Sequence, residues 1–284
     1  MLLAFETAER LENTALAQSH LTFVIVGGGP TGVELAGALA EIGCHAMLPD
    51  FPSLRRLAVQ ILLVEAGERI LSGFSTDLSA QAQAALESMG VTVLLKTTVQ
   101  DVRPTGVLIG GQFIETAHVM WAAGNRASAL VETLKVPLDA AGRVIVRPDL
   151  TIPDDPWIFV IGDAASLKGR QGHTLPGLAP VAMQEARYVA TVIARRTQPL
   201  ERAAFRYAIR GILATIGRAK AVAEFGPLRL SGMWAWFLWC VVHIFFLIGF
   251  RNRFRVMSEW VWYYLTFKAG ARLIYYLDHR NPDI

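Results

Sequence analysis

Cysteine is nearly absent from this 284-residue chain, which holds only Cys44 and Cys240, in no C-x-x-C pair. That spacing excludes a disulfide framework and leaves no dithiol to act as a redox centre. A reducing compartment is expected. The histidines, His20, His45, His118, His173, His243 and His279, are scattered without metal-ligand spacing, so no metal is expected. There is no internal repeat and no low-complexity stretch. Charge is sparse at 18% of residues, and the mean hydropathy of +0.37 is high for a soluble protein. The opening MLLAFETAERLENTALAQ becomes charged at Glu6 before any long apolar core. It therefore reads as an amphipathic leading helix over residues 1–20 and not as a secretory signal.

The charge that is present is unevenly placed. Residues 200–284 carry 12 basic and 5 acidic side chains, whereas residues 1–199 carry 15 basic and 19 acidic ones. An acidic body is thus followed by a basic tail over 199–284. Such a tail suits an anionic membrane surface or nucleic acid. Its aromatics lie in long apolar runs and not between the charges, which favours a membrane lipid surface over nucleic acid.

Residues 23–32 read FVIVGGGPTG and continue as VELAGALAEI. An apolar, β-branched run meets a glycine cluster, and a helix-forming stretch follows. Gly27, Gly29 and Gly32 keep the spacing G-x-G-x-x-G, which permits a tight turn and a close backbone approach to a pyrophosphate at a helix start. The plainer alternative is a glycine turn such as any α/β protein contains. The next apolar run, ILLVEAGERI, ends at Glu65, placed to accept hydrogen bonds from a ribose 2′-hydroxyl and to repel a 2′-phosphate. NAD is favoured over NADP, and Glu65→Gln or Glu65→Ser is expected to narrow that preference. Arg69 is a nearby cation that could reach a 2′-phosphate. The long spacing from Gly32 to Glu65 is explained if residues 43–56 form an insertion after the first helix.

Strands are expected at 22–27, 59–65, 91–95 and 116–121, helices at 31–42 and 76–89, and a small antiparallel meander between Thr97 and Phe113. From 142 a strand, a proline-rich turn and a second, buried strand run to Gly162-Asp163. A helix is expected from about Pro180 to Arg196. Residues 233–250, MWAWFLWCVVHIFFLIGF, hold no formal charge apart from a protonated His243. As one helix they would reach about 27 Å at about 1.5 Å per residue, barely a bilayer core. Trp234, Trp236 and Trp239 sit at one end, and Arg251, Arg253 and Arg255 follow the other. In the next stretch, Trp260, Tyr263, Phe267 and Ile274 share one helical face, while Lys268 and Arg272 lie one turn apart. A buried helix pair, a single span over 233–250 and an in-plane, monotopic anchor all fit this pattern.

The order VIVGGGPTGVELAGAL, LLVEAGERIL, VMWAAG, IFVIGDAA, PVAMQEARYVA, LIGFRNR resembles the type II NADH dehydrogenases, single-subunit flavoenzymes that pass electrons from NADH to a membrane quinone. The resemblance runs from about residue 1 to residue 276. It implies an α/β fold with a Rossmann-like NADH-binding domain over 21–130, the returning part of an FAD-binding domain over 131–198, and a membrane-associating helical tail over 199–284. It implies FAD and NADH as cofactors, membrane quinone as acceptor, and attachment to the cytoplasmic face of the inner membrane. A homodimer or a complementing chain are the protein partners to consider. The family opens with a further strand and glycine turn that hold the ADP part of FAD. The chain starts on the helix just before the NADH domain, so little bound flavin is expected, and a catalytically silent, membrane-attached NADH-binding fragment is the alternative function.

Residue roles follow from the same resemblance. The aspartate matching Asp163 hydrogen-bonds the flavin ribityl and phosphate region, and Gly162 precedes it; a helix-capping aspartate is the plainer alternative. Ala123 and Gly124, in the WAAG segment, let domains and cofactor approach closely, or form a simple tight turn. The glutamate matching Glu34 lies where nicotinamide, flavin and quinone meet, and could position the nicotinamide or assist proton delivery; a carboxylate stabilised by the helix dipole is the alternative. Gln184 stands at the second of two glutamine positions beside the quinone site, with Pro180 at the first, or is a solvent-facing helix residue. Without a cysteine pair, electrons from a flavin would pass directly to a diffusible acceptor.

Overall fold

The computed structural model describes residues 1–266, apart from 125, 170, 171, 210 and 248, and no side chain at 45 or 263–266. Lys268, Arg272, Phe267 and Ile274 of the tail lie outside the described residues, as does the Tyr263 side chain. The chain forms two units, Met1–Ala123 with Gly211–Ile284, and Gly124–Arg210.

The first unit opens with two helices where one leading helix was expected. Helix α1 (Leu2–Arg10) buries Ala4, Phe5 and Ala8, and α2 (Thr14–His20) starts afresh behind Asn13. The Asn13 side chain accepts hydrogen bonds from the N–H groups of Ala15 and Leu16 at 3.0 and 3.1 Å. Asparagine satisfies free helix-start donors better than it tolerates a helix interior, so the break falls there.

A parallel sheet follows in the order β3-β2-β1-β7. Its strands are β1 (Thr22–Val26), β2 (Gln60–Val64), β3 (Val91–Leu94) and β7 (His118–Trp121). In register, Val24 pairs with Leu62 on one side and Val119 on the other. Helix α3 (Pro30–Glu41) links β1 to β2, followed by short helical turns over 42–56, and α4 (Thr76–Glu87) links β2 to β3. An antiparallel meander of β4 (Val99–Arg103), β5 (Gly106–Ile109) and β6 (Gln112–Glu115) precedes β7. All five residues of β1 are buried, as a central parallel strand requires. Phe23 and Ile25 pack with Val33, Ala36 and Leu39 of α3, while Val24 and Val26 pack with Val107 and Ile109 of the meander. The two-residue period of the strand thus divides the core between helices and meander.

The second unit holds four short strands, β8 (Val144–Ile145), β9 (Thr151–Ile152), β10 (Asp155–Phe159) and β11 (Ala165–Ser166), and helix α5 (Ala179–Ala194). Strands β8 and β11 are parallel and β9 and β10 antiparallel. The WIFVIG strand is not buried as expected. Trp157 is 62% exposed and Ile158 39%, because β10 pairs only with the two-residue β9. The buried Arg202 guanidinium lies 5.3 Å from the Trp157 ring centre and 5.0 Å from that of Phe159, and reaches Asp149 at 3.4 Å.

The chain re-enters the first unit at Gly211, so the expected tail from 199 divides between the two units. Strands β12 (Ile212–Gly217), β13 (Lys220–Phe225) and β14 (Leu228–Ser231) form an antiparallel sheet, and Ala214, Ile216 and Val222 join the core against α3. A methyl at Gly37 would lie 1.5 Å from the Ile216 carbonyl oxygen, so glycine in α3 lets this backbone pass. The apolar run 233–250 divides in two, α6 (Gly232–Phe246) and α7 (Phe250–Thr266), around Gly249 at φ +83°. Arg253 donates to the Leu247 carbonyl at 2.7 Å. The rings of Trp239, His243 and Trp260 stack between the two helices at 4.8–5.9 Å. Among the described residues no helix is long and apolar enough to cross a membrane, which removes the single span over 233–250.

Candidate nucleotide site

The glycine turn between β1 and α3 is packed against backbone at Gly27 and Gly32. Gly27 has φ +109° and donates to the Val64 carbonyl at 2.8 Å. A methyl there would sit 2.9 Å from the Ala122 and Ala123 backbone. At Gly32 it would lie 1.8 Å from the Gly27 carbonyl oxygen. At Gly29 it would meet nothing within 4 Å. Gly27 and Gly32 therefore serve the fold, whereas Gly29 keeps space open outside the helix start. Helix α3 begins behind Gly29 with Pro30 and has no side-chain cap. Its first-turn N–H groups and dipole face that space, the setting of an anion-binding helix start.

Gly28 is a further constrained glycine of the turn, which spacing alone did not single out. A methyl there would lie 2.8 Å from Ile70 and 3.0 Å from Glu65. Its N–H donates to Glu65 Oε2 at 2.6 Å, and the Gly67 N–H donates to Glu65 Oε1 at 2.6 Å. Glu65, just past the end of β2, is thus a clamp on the turn. Arg69 is folded onto its own loop. Its guanidinium donates to the carbonyls of Ser72 and Phe74 at 2.9 Å. On the same rim, Lys96 pairs with Glu68 at 3.1 Å.

Glu34, in α3, is half-buried and accepts from the Thr215 N–H of β12 at 3.4 Å. Burial raises its pKa above the usual carboxylate value, and the Thr215 N–H partly offsets this. The structure brings Glu34 to the returning β12, an element no motif announces. At the end of β7, Ala122 donates to Val26 at 2.8 Å, and the exposed Trp121 indole donates to the Ala123 carbonyl at 2.7 Å. Ala123 closes the first unit, and Gly124, at φ +70° with open space around it, begins the second.

A cavity of about 210 Å³ lies beside Phe23, His118 and Met120. It sits at the starts of β1 and β7, the opposite end from the turn. Ligands of open α/β sheets bind outside the carboxyl ends of the strands, so this cavity is not the nucleotide site.

In the second unit, Gly162 at φ +66° opens a short turn that exposes Asp163. The Gly162 N–H donates to Glu185 at 2.6 Å. Glu185, on α5, is buried, and that burial raises its pKa, with the Gly162 bond opposing and the Asp163 charge adding. Glu185 escaped the sequence reading although the signal was present: it falls in the buried stripe Val181, Glu185, Val189, Val192. Gln184 pairs both ends of its amide with the Ala208 backbone, at 3.0 Å each. Its amide thus holds an extended segment, which Tyr188 also grips through the Ala203 carbonyl at 2.5 Å.

Residues 2–186 match the family described as pyridine nucleotide-disulphide oxidoreductase. The chain belongs to the pyridine nucleotide-disulphide oxidoreductase family. Residues 209–267 match the NDH2 C-terminal domain, which covers the β12–β14 sheet, α6 and α7. Among curated relatives, the Type II NADH:quinone oxidoreductase Ndh of Mycobacterium tuberculosis is 38% identical over 286 residues, covering 96% of this chain and 61% of the relative. NdhA of the same organism is 38% identical over 283 residues, covering 95% and 58%. The chain therefore spans about three fifths of the length of these relatives. The structure of NDH2 from Plasmodium falciparum in complex with NADH superimposes with a TM-score of 0.84, covering 94% of this chain and 71% of that one, at 18% identity. That likeness shows the fold. In contrast to the family's name, Cys44 and Cys240 are both free thiols.

Proposed function

We propose that this chain serves a type II NADH:quinone oxidoreductase, binding NADH at the β1–α3 turn and meeting a membrane surface through α6 and α7. The observation that carries the reading is the open space at Gly29 before an uncapped helix start, with the Glu65 carboxylate held beside the turn by Gly28 and Gly67. The first-turn N–H groups would receive the pyrophosphate, and the Glu65 carboxylate, already rigid, would accept from the ribose hydroxyls through its remaining lone pairs. Glu34, its pKa raised by burial, can hold a proton nearer neutrality than an exposed carboxylate.

The Gly162–Asp163 turn fits one end of FAD, since its backbone is fixed by Glu185 and its carboxylate is exposed. Bound there, FAD would supply hydride acceptance and onward electron transfer to quinone. Asp163 would hold the ribityl and phosphate region, and Gly162 would let the backbone come near it. Electrons need no cysteine pair on this route.

The outer face of α6 supports the membrane part of the reading. Trp234, Phe237, Val241 and Phe245 are 50–71% exposed and recur at helical spacing. The 15 residues of α6 reach about 22 Å, short of a bilayer core of about 30 Å, which favours lying in the interface. The test is NADH-dependent reduction of a short-chain quinone in the presence of FAD and anionic vesicles. The expected result is turnover that Glu34→Gln depresses. NADH binding with no quinone reduction at saturating FAD would overturn the reading.

A further inference from the structure

The rim of the proposed ribose site carries a charge arrangement that Glu65 alone does not describe. Two backbone bonds tie the loop after β2 to the loop after β3: Lys96 N–H donates to Gly67 O at 2.9 Å and Thr97 N–H to Glu65 O at 3.1 Å. Lys96 is held at φ +52°, in the left-handed region. Its backbone is therefore fixed beside the Glu65–Gly67 clamp. The Lys96 ammonium meets Glu68 at 3.1 Å, and the two side chains are 68% and 85% exposed. Arg69 is anchored to its own loop through Ser72 and Phe74. Lys96 is thus an exposed cation on this rim, and Glu68 is the carboxylate that pairs with it.

Resting on the NADH reading above, we propose that Glu68 is a second specificity-determining residue, which excludes 2′-phosphorylated nucleotide by occupying Lys96. Glu65 supplies a fixed negative charge at the 2′ position. Glu68 withholds the cation that could compensate it. A 2′-phosphate carries close to two negative charges, so a freed ammonium within reach would attract it strongly relative to a 2′-hydroxyl. Both side chains are exposed, so the lysine is readily redirected once the carboxylate is gone. NADH, without charge at this position, is indifferent to the exchange.

The experiment is equilibrium binding of NADH and NADPH to the full chain and to its Glu68→Gln and Glu68→Gln/Lys96→Ala variants at low salt. Glu68→Gln should tighten NADPH about fivefold, the scale of one exposed charge acting on a dianion in water, with NADH unchanged within about twofold. The second substitution should return NADPH to its original affinity. A ratio of affinities unmoved by Glu68→Gln, or a gain that survives the loss of Lys96, overturns the proposal while leaving NADH binding intact. Failure of the parent chain to bind NADH overturns the nucleotide reading and this inference together.

Discussion

Gly32 passes so close to Gly27 that a methyl group on it would lie 1.8 Å from the Gly27 carbonyl oxygen. The contact is with backbone on both sides, so no side-chain rotation relieves it. Gly32→Ala should force the turn apart, costing about 2 kcal/mol or more and abolishing nucleotide binding. Thermal melting and titration with NADH check both halves of that expectation. A variant that melts with the parent would mean the turn is looser than described.

Glu65→Gln should do more than relax nucleotide preference. The carboxylate accepts from Gly28 and Gly67, and the amide's NH₂ end cannot accept from either. Bonds to a charged acceptor are worth about 1.5–3 kcal/mol, so the loss of one should lower stability measurably and weaken NADH as well as change selectivity. Unchanged NADH affinity with a narrowed preference would restore the simple charge-repulsion role.

The sheet, the glycine turn and both flanking helices were legible because β-branched runs, glycine spacing and helix start signals all agree there. The short helical turns over 42–56 fall where one excessive spacing pointed to an insertion. What the sequence hid were contacts across it. Nothing in VEAG shows that Glu65 spends its carboxylate on Gly28, and nothing near Gly37 shows that β12 will cross over it. The β12–β14 sheet did leave a trace: ILATIGRAKAVAEFGPLRLS alternates and contains turn residues. The charge and aromatic content of the tail masked it. Glu185 was overlooked because a polar residue within an apolar helical stripe is meaningful only when a partner such as Gly162 is seen.

Glu185→Gln should flatten part of the pH dependence of stability. A carboxyl whose folded pKa is raised binds its proton more tightly when folded. Its contribution is fully present below the unfolded value and is lost as pH rises through the folded one. The parent should therefore gain stability relative to the variant as pH falls from neutrality towards 4.5, the ordinary value. The amide oxygen can still accept from Gly162, so the variant should fold. Parallel pH–melting curves would contradict the assignment.

His118 gives the opposite slope. Burial, then the N-terminal ammonium and His20, lower its pKa. Its Nε2 is buried without a partner, and His20 lies edge-on at 5.8 Å. The unfolded chain binds the proton more readily, so stability should fall as pH drops below about 6.5. His118→Phe, which preserves the stack on Phe23, should remove that loss. Melting curves between neutral and mildly acid pH decide it.

Membrane association should depend on the outer face of α6 and not on everything after Pro199. Cutting there would remove β12–β14, exposing Ala36 and Leu39 of the core, and should yield an insoluble product. Serine in place of Trp234, Phe237, Val241 and Phe245 should leave melting nearly unchanged and reduce sedimentation with anionic vesicles. High salt should weaken attachment of the parent without abolishing it. Undiminished sedimentation of the quadruple variant would place the membrane contact elsewhere.

The most direct test is NADH binding by the parent chain and by Gly29→Ala. A methyl at Gly29 meets no protein atom within 4 Å and enters only the space assigned to the pyrophosphate. The parent should bind about one NADH per chain with saturation, and Gly29→Ala should lose about tenfold or more in affinity while melting at the parent's temperature. Equal NADH affinity in the two proteins would contradict the placement of the nucleotide at this turn.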